Sequence, residues 1–130
     1  MKEKKTIKFN ATLWVCEWYG HENETWSKTA KEIVGTIWQE IAEKVFNDTW
    51  IYVSAWITDA NMVYSKSRWC PEWWEKIAEI SGTMNPELYN DIEKWKQAVI
   101  DVLTLAKDEL KQTTTQVEFT NVDMVYLKWK

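Results

Sequence analysis

His21 is the one histidine of the chain, flanked by Glu22 and Glu24, with Cys16 five residues upstream. A thiol and an imidazole are the parts of a nucleophile and its base, and Cys, His and Glu are all ligands for metals. The spacing by itself imposes neither arrangement. A Cys-His pair needs a hydrogen-bond geometry that this separation does not demand, and a zinc site needs more ligands than these. His21 therefore reads as a solvated loop histidine. Gly20, Gly35 and Gly82 are isolated, so there is no glycine-rich loop to cradle phosphate. Glu32, Glu40, Glu43, Asp101 and Glu109 fall on solvent-facing helix positions, which removes support for metal-assisted chemistry. No cofactor, metal or catalytic constellation is expected, and an enzyme is the least supported class of function.

The informative residues are instead aromatic. Eleven tryptophans occur in 130 residues, and their spacing sorts them into strand faces, helix cores and one surface insert. From Thr6 to Tyr19, Ile7, Phe9, Ala11, Leu13 and Val15 fall on one face of a strand. Lys8, Asn10, Thr12, Trp14, Cys16 and Trp18 fall on the other. A second strand over Thr49–Thr58 sets Ile51, Val53, Ala55 and Ile57 against Trp50, Tyr52, Ser54 and Trp56. A last strand over Gln116–Lys130 sets Val117, Phe119, Val125, Leu127 and Trp129 against Val122, Met124 and Tyr126. The aliphatic faces suit cover by helices. The aromatic faces, broken by polar groups, are left to face outward.

Two amphipathic helices supply that cover. Ala30, Ile33, Val34, Ile37, Trp38, Ile41 and Val45 recur at three and four from Trp26 to near Asn47, with Asn23 or Thr25 as cap. Gly35 is tolerable there if the helix backbone lies close to the sheet. The second helix opens with Asn85 as cap and Pro86 at its first turn, and runs through Leu88, Ile92, Trp95, Val99, Val102, Leu103, Ala106 and Leu110. Trp26, Trp38 and Trp95 are core anchors on this pattern. Asp59-Ala-Asn turns the chain back into a short third strand, Met62–Ser65. Arg68-Trp69-Cys70-Pro71-Glu72-Trp73-Trp74 then begins a short helical insert, with Pro71 at its start, Ile77 and Ile80 on one face and Gly82 at its end.

The element order is that of a ferredoxin-like βαββαβ fold, an α+β arrangement with a four-stranded antiparallel sheet and two helices on one face. Residues 1–130 make one domain at this length and 45% apolar content. The last strand lies beside the first, so Lys2, Lys4, Lys5 and Lys8 approach Lys128 and Lys130 in a local basic edge that solubilises or contacts phosphate. Cys16 and Cys70 read as reduced thiols. The start has no apolar stretch like a signal sequence and no later segment approaches a membrane span, so a cytoplasmic location without membrane association is expected.

The expected partner-binding set is Trp14, Trp18, Trp50, Tyr52, Trp56, Met124 and Tyr126 on the open sheet face, with Arg68, Trp69, Trp73 and Trp74 in the insert. The insert either joins the interface or closes over the sheet as a lid. So many exposed rings imply an occupant for the face. The expected function is a non-catalytic protein-binding module that self-associates as a homodimer, or binds a target protein in the manner of an inhibitor or immunity protein. One alternative is single-stranded nucleic acid stacked on the sheet, which a net charge of −4 disfavours. The other is a dimeric α+β barrel holding a flat apolar ligand, with oxygenase chemistry in some such proteins.

Overall fold

The computed structural model describes residues 2–15, 28–70 and 74–127. The readings placed on Cys16, Trp18, His21, Asn23, Thr25, Trp26, Trp73, Lys128, Trp129 and Lys130 lie outside the described residues. The elements are β1 (Lys2–Trp14), α1 (Ala30–Thr49), β2 (Trp56–Met62), β3 (Glu75–Thr83), α2 (Ile92–Glu109) and β4 (Gln116–Tyr126). All pairings are antiparallel in the order β2-β3-β1-β4. This is the expected α+β, ferredoxin-like order, with α1 over β2 and β3, α2 over β1, and each helix against the other.

The core follows the β1 alternation. Ile7, Phe9, Ala11, Leu13 and Val15 are buried beneath the helices. Phe9 stacks on Trp38 of α1 with centroids 6.1 Å apart and meets Trp95 of α2 at 5.9 Å. Trp38 Nε1 donates to the Val53 carbonyl at 3.0 Å, which satisfies the only polar atom of that ring. Trp95, Ala98, Val99, Val102, Leu103 and Ala106 form the buried stripe of α2. No helix among the described residues is long and apolar enough to cross a membrane.

Local chemistry corrects several boundaries. α1 starts at Ala30 because Thr29 and Glu32 form a capping box: Glu32 N–H donates to Thr29 Oγ1 at 3.1 Å, and the Glu32 carboxylate accepts from the Thr29 backbone at 3.4 Å. α2 opens at Ile92 behind Asp91, not at Pro86. Asn85 instead ties a separate turn, its Oδ1 accepting from Glu87 N–H at 2.9 Å. Trp50, expected inside a strand, ends α1 in the left-handed conformation at φ 63°. Residues 51–55 carry no ladder, yet Val53 is buried and Ile51 and Ala55 pack on the core, so the face assignment survives the loss of the strand. The ladder begins at Trp56 and runs straight through Asp59-Ala-Asn. Asp59 does not turn the chain; its Oδ1 accepts from Lys31 N–H at 2.7 Å at the start of α1.

The largest correction concerns the helical insert, which from Glu75 to Thr83 is a strand. Among the described residues, a one-turn 3₁₀ helix, Lys66–Arg68, precedes it. Glu, Lys and Ala favour helix, and Ile77 and Ile80 match a helical spacing. Between β1 and β2, however, this segment satisfies both its edges with ladder hydrogen bonds, and tertiary pairing overrides propensity. Gly82 is explained by approach and not by capping, since a Cβ there would lie 2.5 Å from the Ser54 carbonyl oxygen and 2.8 Å from Phe9 Cε1. Gly35 is the reverse: nothing lies within 4 Å of a Cβ on it. Gly82→Ala is expected to destabilise by about 1–3 kcal/mol. Gly35→Ala should stabilise by up to about 1 kcal/mol. Urea midpoints of the two variants measure both.

Candidate functional site

Register decides which side chains meet on the sheet face opposite the helices. One cross-strand row is Trp56, Ser81, Asn10 and Glu118. The next is Thr58, Glu79, Thr12 and Gln116, and the third is Ala60, Ile77 and Trp14. Met62 and Glu75 end the series at the β2–β3 connection. On β3 the file is Glu75, Ile77, Glu79 and Ser81, every second residue pointing to this face.

The first two rows line a cleft of about 400 Å³ that crosses all four strands. Its polar groups are the Glu79 and Glu118 carboxylates, the Thr12 and Thr58 hydroxyls, and the Gln116 and Asn10 amides. Ser81 Oγ donates to Asn10 Oδ1 at 2.6 Å, which turns the Asn10 NH₂ away from Ser81. Trp56 stands at the β2 edge with 76% of its surface exposed. Beyond the cleft, the third row is apolar, and Ile77 is buried although it lies on this face.

At the far end, Tyr64 Oη donates to Glu75 Oε1. The bond holds the Tyr64 proton, and with smaller contributions from desolvation and the charges of Glu75 and Cys70 it pushes the phenol up to about 12. Shifted groups cluster at functional sites, which makes the Tyr64–Glu75 pair a candidate beside the cleft.

The expected aromatic surface is divided. Trp14 and Trp56 do lie on the open face. Trp50 and Tyr52 instead gather around Phe46 at the end of α1, with Tyr52 stacked on it at 3.9 Å and Trp50 edge-on at 5.4 Å. Met124 and Tyr126 sit where β4 passes the end of β3, and Tyr126 Oη donates to Asn85 Oδ1 at 2.7 Å. Arg68 and Trp69 are exposed in the β2–β3 connection, and Trp74, at φ 64°, leads into β3. The basic edge has an acid in it, with Lys5 Nζ 3.6 Å from Asp123.

Tyr64, Glu75, Glu79 and Glu118 were not singled out by the sequence. The available signal was the two-residue period of Glu75, Ile77, Glu79 and Ser81, which the competing helical spacing of Ile77 and Ile80 hid.

Fold and cleft together define an α+β protein with an acidic and partly aromatic cleft on one sheet face. The family model described as SAM lyase matches residues 4–128, and the chain belongs to that family. Among solved structures it is similar to a phage SAM lyase in the apo state, at 10% identity and TM-score 0.59, covering 97% of this chain and 94% of that one. It is also similar to a phage SAM lyase in complex with S-methyl-5'-thioadenosine, at 11% identity and TM-score 0.57, covering 96% and 93%. No curated protein matches. Membership in an enzyme family overturns the expectation of a non-catalytic protein-binding module of the inhibitor or immunity type. Nucleophiles, metal sites and phosphate loops mark only some classes of enzyme, so their lack of support in the sequence does not exclude catalysis.

The phenol of Tyr64 supplies a test of the Glu75 pairing. The folded pKa is raised from 10.0 to about 12, so the bond contributes below pH 10 and is lost as pH rises toward 12. Absorbance titration at 295 nm should show a late contribution from Tyr64, which Glu75→Gln returns toward 10.

Proposed function

We propose that this chain is an S-adenosylmethionine lyase that releases S-methyl-5'-thioadenosine. The observation that carries the reading is the family match over residues 4–128. The open face supplies chemistry that suits it. S-adenosylmethionine is a sulfonium with an amino-acid arm, and its net charge is positive. Glu75, Glu79 and Glu118 give this face carboxylates to receive a cation. From Glu75 to Ser81 the strand advances about 20 Å, the scale of a nucleoside joined to an amino acid.

In the step itself no water is added. The bond between sulfur and the γ-carbon breaks, and its electron pair stays on sulfur to give the neutral thioether. The substrate's own carboxylate oxygen bonds to the γ-carbon, closing a five-membered ring, so no proton acceptor on the protein is required. The protein's task is to hold the arm folded with oxygen opposite sulfur. Glu75, positioned by Tyr64, is the counter-ion for the ammonium group, and Glu79 accepts from the ribose hydroxyls in the way carboxylates hold a ribose.

The reaction neutralises a carboxylate and a sulfonium, so its transition state is less charged than the bound substrate. A dry surface beneath the reacting atoms therefore favours it, and the apolar row of Ala60, Ile77 and Trp14 lies between Glu75 and the cleft.

Chromatography of the protein incubated with S-adenosylmethionine alone should show S-methyl-5'-thioadenosine and a four-carbon product without added methyl acceptor. No release of the thioether by the purified protein would refute the reading. Glu75→Gln should lower kcat/KM by about 10- to 100-fold.

A further inference from the structure

The row of Trp56, Ser81, Asn10 and Glu118 lies farthest from Glu75, and its chemistry differs from the rest of the face. Trp56 is a large ring left 76% exposed on an edge strand, where it lines the cleft. It takes part in no ring contact among the described residues, in contrast to Trp50, which meets Phe46. Two strand spacings away, about 10 Å, is Asn10. Its Oδ1 accepts from the Ser81 hydroxyl at 2.6 Å. That bond uses one of the two lone pairs of Oδ1, so Asn10, which lines the cleft, keeps an acceptor there beside its Nδ2 donors, which no described residue takes.

A flat π-surface with an amide donor at its edge, in a cleft that excludes part of the solvent, suits a purine. Bases stack on tryptophan regardless of charge, and asparagine is the side chain that matches adenine's ring-nitrogen acceptor and amino group. We infer that Trp56 is the platform on which the substrate's adenine stacks and that Asn10 reads the adenine edge, making this row the specificity-determining subsite. The inference rests on the lyase reading and deepens it. Recognition of the nucleoside is thereby separated along β3 from recognition of the amino-acid arm at Glu75. The neutral thioether keeps the adenine contact after cleavage but has lost the ammonium contact.

Trp56 is exposed, so replacing it leaves the core intact. The test is calorimetric binding of S-methyl-5'-thioadenosine, together with KM and kcat for S-adenosylmethionine, in wild type, Trp56→Ala, Trp56→Phe and Asn10→Ala. Trp56→Ala should weaken thioether binding and raise KM by about 10- to 100-fold. Trp56→Phe should restore most of the loss. Asn10→Ala should weaken thioether binding and shrink the preference for adenine over hypoxanthine in the nucleoside. S-methylmethionine, a sulfonium with the same amino-acid arm and no purine, should bind wild type and Trp56→Ala equally. If wild type cleaves S-adenosylmethionine while Trp56→Ala matches it in KM and in thioether affinity, the adenine platform is wrong and the lyase reading stands. If wild type releases no thioether, the lyase reading fails and the inference falls with it.

Discussion

One ring links the layers of this protein. Phe9 is fully buried on β1, stacked on Trp38, in contact with Trp95, and close enough to Gly82 that a single methyl group on β3 would collide with it. Both helices and the neighbouring strand are thereby held against one point of β1. Because strand side chains alternate, a slip of β3 by one residue would send Ala78 and Ile80 to the open face and bury Glu79 among the helices. Such a slip leaves carboxylates without water or partners. The register that protects the core is also the register that lines up the cleft.

On the proposed reading, the open face uses that register to separate tasks along a single strand. Glu75 with Tyr64, apolar Ile77, Glu79 and then Ser81 in the row of Trp56 and Glu118 change the character of the surface step by step along the strand. For a reaction in which opposite charges within the substrate are neutralised, such a surface has an electrostatic logic. On the proposed reading, Glu75 at one end holds the substrate by an ammonium group that keeps its charge, while the apolar middle gives no extra stabilisation to the charge that disappears. A carboxylate directly against the sulfonium would stabilise bound substrate more than transition state and slow the step.

Legibility followed locality. The β1 alternation named Ile7, Phe9, Ala11, Leu13 and Val15 as core, and all are buried. Trp38 and Trp95 were recognisable as core anchors from helical periodicity, and the four-strand, two-helix order was readable although two of its elements were placed incorrectly. The segment from Glu75 to Thr83 was misread because its residue types favour helix and its isoleucines are three apart. Only pairing with β1 and β2 distinguishes the alternatives. Trp50 and Tyr52 were assigned to the sheet face by alternation, but the end of α1 offered Phe46, and stacking there removed them from the proposed surface.

The sequence by itself determined what each element must bury, because hydrophobic period is a local property: β1, α1, α2 and the apolar positions of residues 51–57 all declare their inward sides. It also determined that the sheet would keep a face of aromatic and polar side chains. Only the tertiary structure decided which residues share that face. Glu79 and Thr12 are far apart in the chain and adjacent in the sheet, as are Ser81 and Asn10. Cross-strand neighbours are set by register, and register is settled by how both faces of β3 pack at once, which no local window of residues contains.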